Sequence, residues 1–267
     1  VEQGQYLLVD GQNGQEIGRA TPGVSWIVKK EGNNLRLLQE GVLLPGTFNG
    51  PLRLRAEDTS TQSLFRCQGI RCRGSLDIVK ETNGLAAINA LDLEHYLYGV
   101  VAQEMGATAA PEALKAQAIV SRSYTLATLV EAKPGRLYDV SADTSNQAYR
   151  GYEPEAIPGG EQVRQAVDAT RGQVIFYDDQ IIKAFYHANS GGHTEDSENV
   201  WGTSLPYLHG VPSPEDVWAL EYPRQSPAGW PAYNYIWSVA FTRQQLQEKV
   251  NNWLAGQGKA AVGNIID

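Results

Sequence analysis

The chain has 267 residues, with 22 Lys and Arg against 30 Asp and Glu, so its formal net charge is −8. Its 42% hydrophobic content is enough for a large core and excludes a disordered chain. The acidic balance, with no basic run longer than Lys29-Lys30, argues against a nucleic-acid partner. No segment approaches the roughly 20 apolar residues of a membrane span, so none is predicted.

The first third of the chain predicts a β-rich region. Short apolar or alternating runs are separated by turn residues, and Asn83-Gly84 between two such runs is a strong hairpin signal. The predicted strands lie at residues 6–9, 25–28, 35–38, 52–55, 75–79 and 85–88.

The two cysteines, Cys67 and Cys72, flank a Gln68-Gly69 pair that is able to turn the chain. This pattern leaves two interpretations open. One is a disulfide across a hairpin, formed in an oxidising compartment, and the other is a pair of reduced thiols. The pair alone lacks two of the four ligands of a structural zinc site.

Helical patterns begin after residue 90. Residues 91–98 have a helical apolar spacing, with Asp92 near the start. Residues 111–130 predict a second helix that begins with Pro111 and is buried on most sides, because nearly all its residues are small or apolar. Further predictions are a helix at 161–170, a hairpin around Asp178-Asp179, a strand at 233–241 and a Thr242-capped helix ending at residue 254. Strands followed by a mixture of elements predict an α+β fold.

Glu104 is the first candidate for chemistry. It lies between the first helical run and a small-residue loop, partly shielded by Val100, Val101 and Met105. A carboxyl group at such a joint is a candidate general acid. The alternative is a surface carboxylate paired with Lys or Arg, and the residues alone leave both interpretations open.

His187 and His193 enclose an Asn-Ser-Gly-Gly turn. Three roles are open for these two histidines: they could be metal ligands, hydrogen-bond donors to a sugar, or ordinary turn residues. Ser190 in this turn suggests a serine hydrolase, although the Gly-x-Ser-x-Gly pattern of a nucleophile elbow is absent.

Five segments in chain order resemble the signature of the stage II sporulation protein D family, which includes the amidase-enhancer (LytB) proteins. They include Val101-Ala-Gln-Glu-Met105 and Ala184-Phe-Tyr-His-Ala-Asn-Ser-Gly-Gly192, and they lie at residues 89–105, 111–124, 143–151, 184–194 and 200–208. With this resemblance we predict a β-rich N-terminal region at 1–60 and a catalytic domain at 61–267. In that domain the central buried helix would be surrounded by β-hairpins.

The resemblance implies a peptidoglycan lytic transglycosylase. Such an enzyme cleaves between N-acetylmuramic acid and N-acetylglucosamine in glycan strands stripped of stem peptides, and forms a 1,6-anhydro ring. The family's catalytic Glu falls on Glu104. A single carboxyl group is sufficient, because the muramyl 6-hydroxyl replaces water as the nucleophile.

The resemblance also supplies candidates for substrate binding. Lys115 or Arg122 would orient Glu104 or hold an acid group of the glycan. The sugars would contact Gln147 and Tyr149, and the groove wall would contain His187, Ser190 and Gly191. We expect no cofactor or metal, because Ser190 stands where some members carry a cysteine thought to bind zinc.

A second function remains open. A non-catalytic amidase enhancer would grip peptidoglycan or a cell-wall amidase and perform no chemistry, while keeping the same motifs. Both functions predict peptidoglycan glycan strands as a partner, and both predict a secreted or periplasmic location in the cell envelope.

Overall fold

The computed structural model describes residues 1–58, 62–221, 235–236 and 238–265. The chain forms two compact units, Val1–Tyr186 and His187–Asp267. None of the helices in this part of the chain has the length and apolarity needed to cross a membrane.

Among the described residues, the first unit begins with ten antiparallel strands. They are β1 Tyr6–Asp10, β2 Glu16–Ala20, β3 Trp26–Glu31, β4 Asn34–Gln39, β5 Val42–Leu43, β6 Leu52–Ala56, β7 Phe65–Cys67, β8 Ile70–Cys72, β9 Ser75–Glu81 and β10 Gly84–Ala90. Strands β10, β9, β6, β1 and β2 form a five-stranded sheet in that order, β3, β4 and β5 form a second sheet, and β7 pairs with β8.

The five-stranded sheet crosses the predicted domain boundary at residue 60. Strand β1 pairs with β6, and β6 pairs in turn with β9, which lies beyond that boundary. The chain divides into its two compact units between Tyr186 and His187. Pairing between strands distant in sequence leaves no local pattern, so the sequence alone does not reveal it. The division into a β-rich region and a catalytic domain stays a prediction.

The hairpin of β7 and β8 carries both cysteines, and both thiols are free. Cys67 lies opposite Ile70, and Cys72 lies opposite Phe65. The two cysteines are therefore offset diagonally across the hairpin, where side chains stand farther apart than in a direct pair. Burial, followed by the neighbouring Cys67, raises the pKa of Cys72 to about 12. Of the two interpretations of Cys67 and Cys72, the structure supports a pair of reduced thiols and not a disulfide.

Four helices and a short hairpin complete the described part of the first unit. They are α1 Leu93–Met105, α2 Pro111–Val130, α3 Glu153–Ala156 and α4 Gly160–Ala169, and the hairpin strands are β11 Phe176–Tyr177 and β12 Gln180–Ile181. Asp178 and Asp179 have φ of 47° and 58°, the left-handed conformation of a tight hairpin turn, which confirms that prediction.

Helix α2 is the buried helix that the sequence predicts, and the α+β fold is confirmed. Its neighbours are mainly the helices α1 and α4, with a smaller contact to β12. The apolar core between the three helices contains Leu97, Val101, Leu114, Ala118 and Val163. Helix-on-helix packing thus contributes more to the surroundings of α2 than the predicted hairpins do.

Helix α1 begins and ends at defined caps. The carboxylate of Asp92 accepts a hydrogen bond from the backbone N–H of Glu94 at 2.9 Å, as an N-cap residue does. At the other end Gly106 has a φ of 76°, which favours glycine, and it donates to the carbonyl of Ala102. These caps place Glu104 in the last turn of the helix.

A buried ion pair joins α1 to α2. The side chains of Arg122 and Glu94 are only 1% and 8% exposed, and Arg122 Nη2 lies 2.6 Å from Glu94 Oε2. The guanidinium also donates to the carbonyls of Val167 and Gln173. A buried charge with this many partners fixes how α1, α2 and the segment after α4 pack together.

The second unit contains α5 Ser197–Trp201, a 3-10 turn at Pro214–Val217, α6 Trp218–Glu221 and α7 Arg243–Gly256. Helix α7 starts at the predicted cap, with a reciprocal capping box between Thr242 and Gln245. The predicted strand at 233–241 is wrong where the structure describes it, since residues 235–236 and 238–241 are not a strand. Residues 233, 234 and 237 lie outside the described residues.

We expect Glu94→Ala to lower the free energy of unfolding by about 3–5 kcal/mol, because the Arg122 charge would stay buried without its partner. The matched control is Glu112→Ala, which removes the exposed pair with Lys115 and should cost less than about 1 kcal/mol. Urea titration at constant m-value measures both. Equal losses in the two variants would contradict the structural role of the buried pair.

Candidate active site

Glu104 lies half-buried at the end of α1. Its Oε1 accepts a hydrogen bond from the backbone N–H of Ala148 at 2.9 Å. Among the ion pairs of the described residues, none involves Glu104. The carboxylate is therefore held by neutral donors, and the alternative of a surface pair with Lys or Arg does not describe it.

The Tyr186 hydroxyl is the second donor to Glu104. Burial, and then the negative charge of Glu104 and a hydrogen bond to it, raise the pKa of Tyr186 above its ordinary value. The hydroxyl therefore stays protonated at neutral pH and is available as a donor. Two donors, one from the backbone and one from a phenol, thus converge on one carboxylate.

Gln147 connects this pair of donors to the helices. Its side chain is only 1% exposed. Its Oε1 accepts hydrogen bonds from Thr125 Oγ1 at 2.7 Å and from the Tyr96 hydroxyl at 3.2 Å. Its Nε2 donates to the Tyr186 oxygen at 3.2 Å and to the Ser121 carbonyl at 3.4 Å. All of this amide's polar atoms are occupied, so Gln147 orients its neighbours and has no polar atom left for a sugar.

Tyr149 is packed against α1. Its ring lies 5.3 Å from the ring of Tyr96, and its hydroxyl donates to Asn89 Oδ1 at 3.0 Å. A Cβ at Gly99 would come within 2.8 Å of the Tyr149 ring, so the close approach requires glycine there. Burial raises the pKa of Tyr149, which keeps its hydroxyl neutral.

The two predicted cations are engaged elsewhere. Lys115 Nζ pairs with Glu112 on the surface of α2 at 2.7 Å. Arg122 is buried and bonded to Glu94, so it has no surface left for an acid group of a glycan. Of the two, only Lys115 is accessible to a ligand.

The other predicted residues belong to the second unit, in which His187 is exposed. The Ser190-Gly191-Gly192 turn is fixed by Asp216, whose Oδ2 accepts from the N–H groups of Ser190 at 2.8 Å and Gly192 at 3.2 Å. Partial burial opposes this charge, but the hydrogen bonds outweigh it and hold the pKa of Asp216 below its usual value.

The Ser190 hydroxyl also donates to Asp216. A serine nucleophile needs a base such as histidine to remove its proton, and a carboxylate with a lowered pKa is poorly suited to that task. This geometry gives no support to a serine hydrolase. Among the described residues there is also no group of three or more His, Cys, Asp or Glu side chains arranged to hold a metal ion.

Three of the predicted residues, Glu104, Gln147 and Tyr149, come together in the first unit. The sequence analysis missed Tyr186 and Ala148. Tyr186 stands directly before His187 in a motif block, so the block itself pointed to the right segment. A backbone N–H such as that of Ala148 has no sequence signature, because every residue except proline carries one.

Comparison with known proteins relates the chain to named relatives. An uncharacterized protein of Brachyspira hyodysenteriae is 36% identical over 57% of this chain and 40% of the relative. Stage II sporulation protein D of Bacillus subtilis is 33% identical over 67% of this chain and 51% of the relative. The amidase enhancer of Bacillus subtilis is 29% identical over 82% of this chain and 31% of the relative. The chain thus spans about half or less of the length of these relatives.

The sequence model of the family described as Stage II sporulation protein matches residues 81–177. This range contains α1, α2 and the loop that carries Gln147, which are the elements that surround Glu104. The chain therefore carries a domain of the stage II sporulation protein D (SpoIID) family, and the predicted resemblance is confirmed.

Proposed function

We propose that this protein cleaves the glycan strands of peptidoglycan as a lytic transglycosylase, with Glu104 as its single acid/base. The observation that carries the proposal is a half-buried carboxylate held by two neutral donors, Ala148 N–H and the Tyr186 hydroxyl. The SpoIID-family match and the amidase-enhancer relative support a cell-wall-related role.

The proposed reaction needs one proton-carrying group. Glu104 in its acid form donates a proton to the glycosidic oxygen between N-acetylmuramic acid and N-acetylglucosamine, and the bond from that oxygen to the muramyl anomeric carbon breaks. The resulting carboxylate then removes the proton of the muramyl 6-hydroxyl, whose oxygen attacks the anomeric carbon and closes the 1,6-anhydro ring. Glu104 ends protonated, and no water is consumed.

The two donors, Ala148 and Tyr186, have a defined role in this cycle. They fix the direction of the Glu104 side chain, which a proton transfer over hydrogen-bond distance requires. Gln147 positions both donors indirectly. Its Nε2 donates a hydrogen bond to the Tyr186 oxygen, and its buried side chain anchors the backbone that continues into Ala148.

The second candidate function is a non-catalytic amidase enhancer that binds peptidoglycan together with a cell-wall amidase. It is favoured by the amidase enhancer of Bacillus subtilis, which matches 82% of this chain. Either function requires contact with peptidoglycan, so we propose a secreted or periplasmic location in the cell envelope.

We expect Glu104→Gln to reduce the release of 1,6-anhydro-muramyl ends from denuded glycan by about 100-fold or more, because the amide cannot donate or recover the proton. Mass spectrometry of the digested glycan measures the ends. Glu161→Gln, which changes an exposed glutamate on α4, is the control and should retain full activity.

Two outcomes would contradict this proposal. If the wild-type protein releases no such ends while it still sediments with cell walls, the enhancer function is supported instead. If Ser190→Ala abolishes activity and Glu104→Gln remains fully active, the reaction belongs to a serine hydrolase.

We expect Tyr186→Phe to lower kcat by about tenfold or more, since a hydrogen bond to a charged group contributes about 1.5–3 kcal/mol. The matched control is Tyr98→Phe, which removes a 2.8 Å hydrogen bond from a tyrosine of α1 to the carboxylate of Asp168. That variant should keep kcat within about twofold while losing similar stability. If both variants lower kcat equally, Tyr186 has only a structural role.

A further inference from the structure

A cavity of about 710 Å³ lies in the first unit, and Glu104 is not among its lining residues. Its walls come from β10, from the first turns of α1, from the end of α2 and from residues 136–142. The volume falls within the range of small-molecule sites, which is about 300–1,000 Å³. The lining is mostly apolar, with contributions from Ile88, Leu93, Leu129 and Val140.

The cavity is separate from Glu104 but linked to it. Glu104 does not line the cavity, whereas Tyr96 and Tyr149 do. Tyr96 lies eight residues before Glu104 on α1, a distance of about 12 Å along the helix axis. Tyr149 directly follows Ala148, whose N–H holds the Glu104 carboxylate. A ligand in the cavity would therefore contact the same loop that orients the acid/base.

Two polar side chains at the cavity are without partners. Arg136 and Asp139 are exposed, and neither forms a hydrogen bond or ion pair with any residue in the described part of the chain. Tyr138, between them, is 45% exposed. Arg136 offers only donors and Asp139 offers acceptors, which together suit a ligand with hydroxyl and amide groups. The exposed tyrosine ring offers a flat apolar face for a sugar ring.

The charges of the wall select against an acidic ligand. Glu81 and Asp139 contribute two negative charges, and Arg136 contributes one positive charge. A carboxylate would meet a net negative lining, in which like charges repel, whereas a neutral ring would not. The apolar lining provides a surface for the methyl of an acetamido group. Neutral N-acetylated sugars combine all these features.

We propose that this cavity is a carbohydrate site, distinct from the acid/base site, that binds the neutral N-acetylglucosamine unit of a glycan. The choice of this sugar over other neutral ligands rests on the proposed function, in which the substrate alternates N-acetylglucosamine with the acidic N-acetylmuramic acid. Arg136 and Asp139 bind the polar groups, and Tyr138 contacts the ring face.

The test is a ¹⁵N NMR titration of the full chain, carrying Glu104→Gln to prevent turnover, with N,N′-diacetylchitobiose as the neutral probe. We expect saturable shifts of the backbone amides of Asn89, Val140 and Tyr149. N-acetylmuramic acid, the acidic probe, should bind at least about tenfold more weakly at the same amides.

Variants of the two polar residues identify the site. Arg136→Gln and Asp139→Asn should each weaken chitobiose binding by about tenfold, because each removes charged hydrogen bonds to the ligand. Lys133→Gln is the matched control, since Lys133 is an exposed cation of the same loop that does not line the cavity. It should leave the affinity unchanged.

Three results would overturn the inference. They are no shift at the cavity amides, unchanged affinity in Arg136→Gln, and tighter binding of the acidic sugar. Failure here is distinguishable from failure of the proposed function. Release of anhydro ends without binding in the cavity would contradict the cavity site alone. Binding in the cavity without release of such ends by the wild-type protein would contradict the enzyme alone.

Discussion

The hydrogen bonds of one buried amide, that of Gln147, hold the candidate site together. Its oxygen joins α1 to α2 through Tyr96 and Thr125, and its nitrogen reaches Tyr186. Leaving a buried amide without partners would cost about 1–3 kcal/mol for each unmade hydrogen bond, so the loop is stable only where Gln147 makes its bonds. In that position the next residue, Ala148, donates its N–H to Glu104. The position of the Glu104 carboxylate is thus a consequence of satisfying the hydrogen bonds of Gln147, next to Ala148 in the chain.

Two carboxylates on α1 show how their surroundings set their roles. Glu94 is almost fully buried and bonded to Arg122, so it contributes to packing and cannot exchange protons with a ligand. Glu104 lies ten residues further along the same helix, half-buried and held by neutral donors. Arg122 pairs with Glu94, and no cation of the described residues forms an ion pair with Glu104. The proposed role of Glu104, which releases and recovers a proton, is compatible with that separation.

The loop that carries Gln147 and Tyr149 connects two features of the first unit. One of its ends faces Glu104, and Tyr149 lines the cavity beside Tyr96. The two proposed functions, enzyme and enhancer, both require the protein to bind the glycan, and only the enzyme requires a general acid/base. A scaffold in which one loop lines the cavity and also supplies the N–H that holds the carboxylate is compatible with either function, and family membership alone does not separate them.

The sequence by itself determined the local elements and the family. Helix α2, the Asp178-Asp179 turn and the Thr242 cap follow from side-chain periodicity and backbone preference, which act over a few residues. The tertiary structure decided which residues of the chain contact one another. It placed residues on both sides of position 60 in one sheet, kept Cys67 and Cys72 apart, and occupied the polar groups of Arg122 and Gln147 internally. Such partners lie far apart in the chain, and only packing brings them within hydrogen-bond distance.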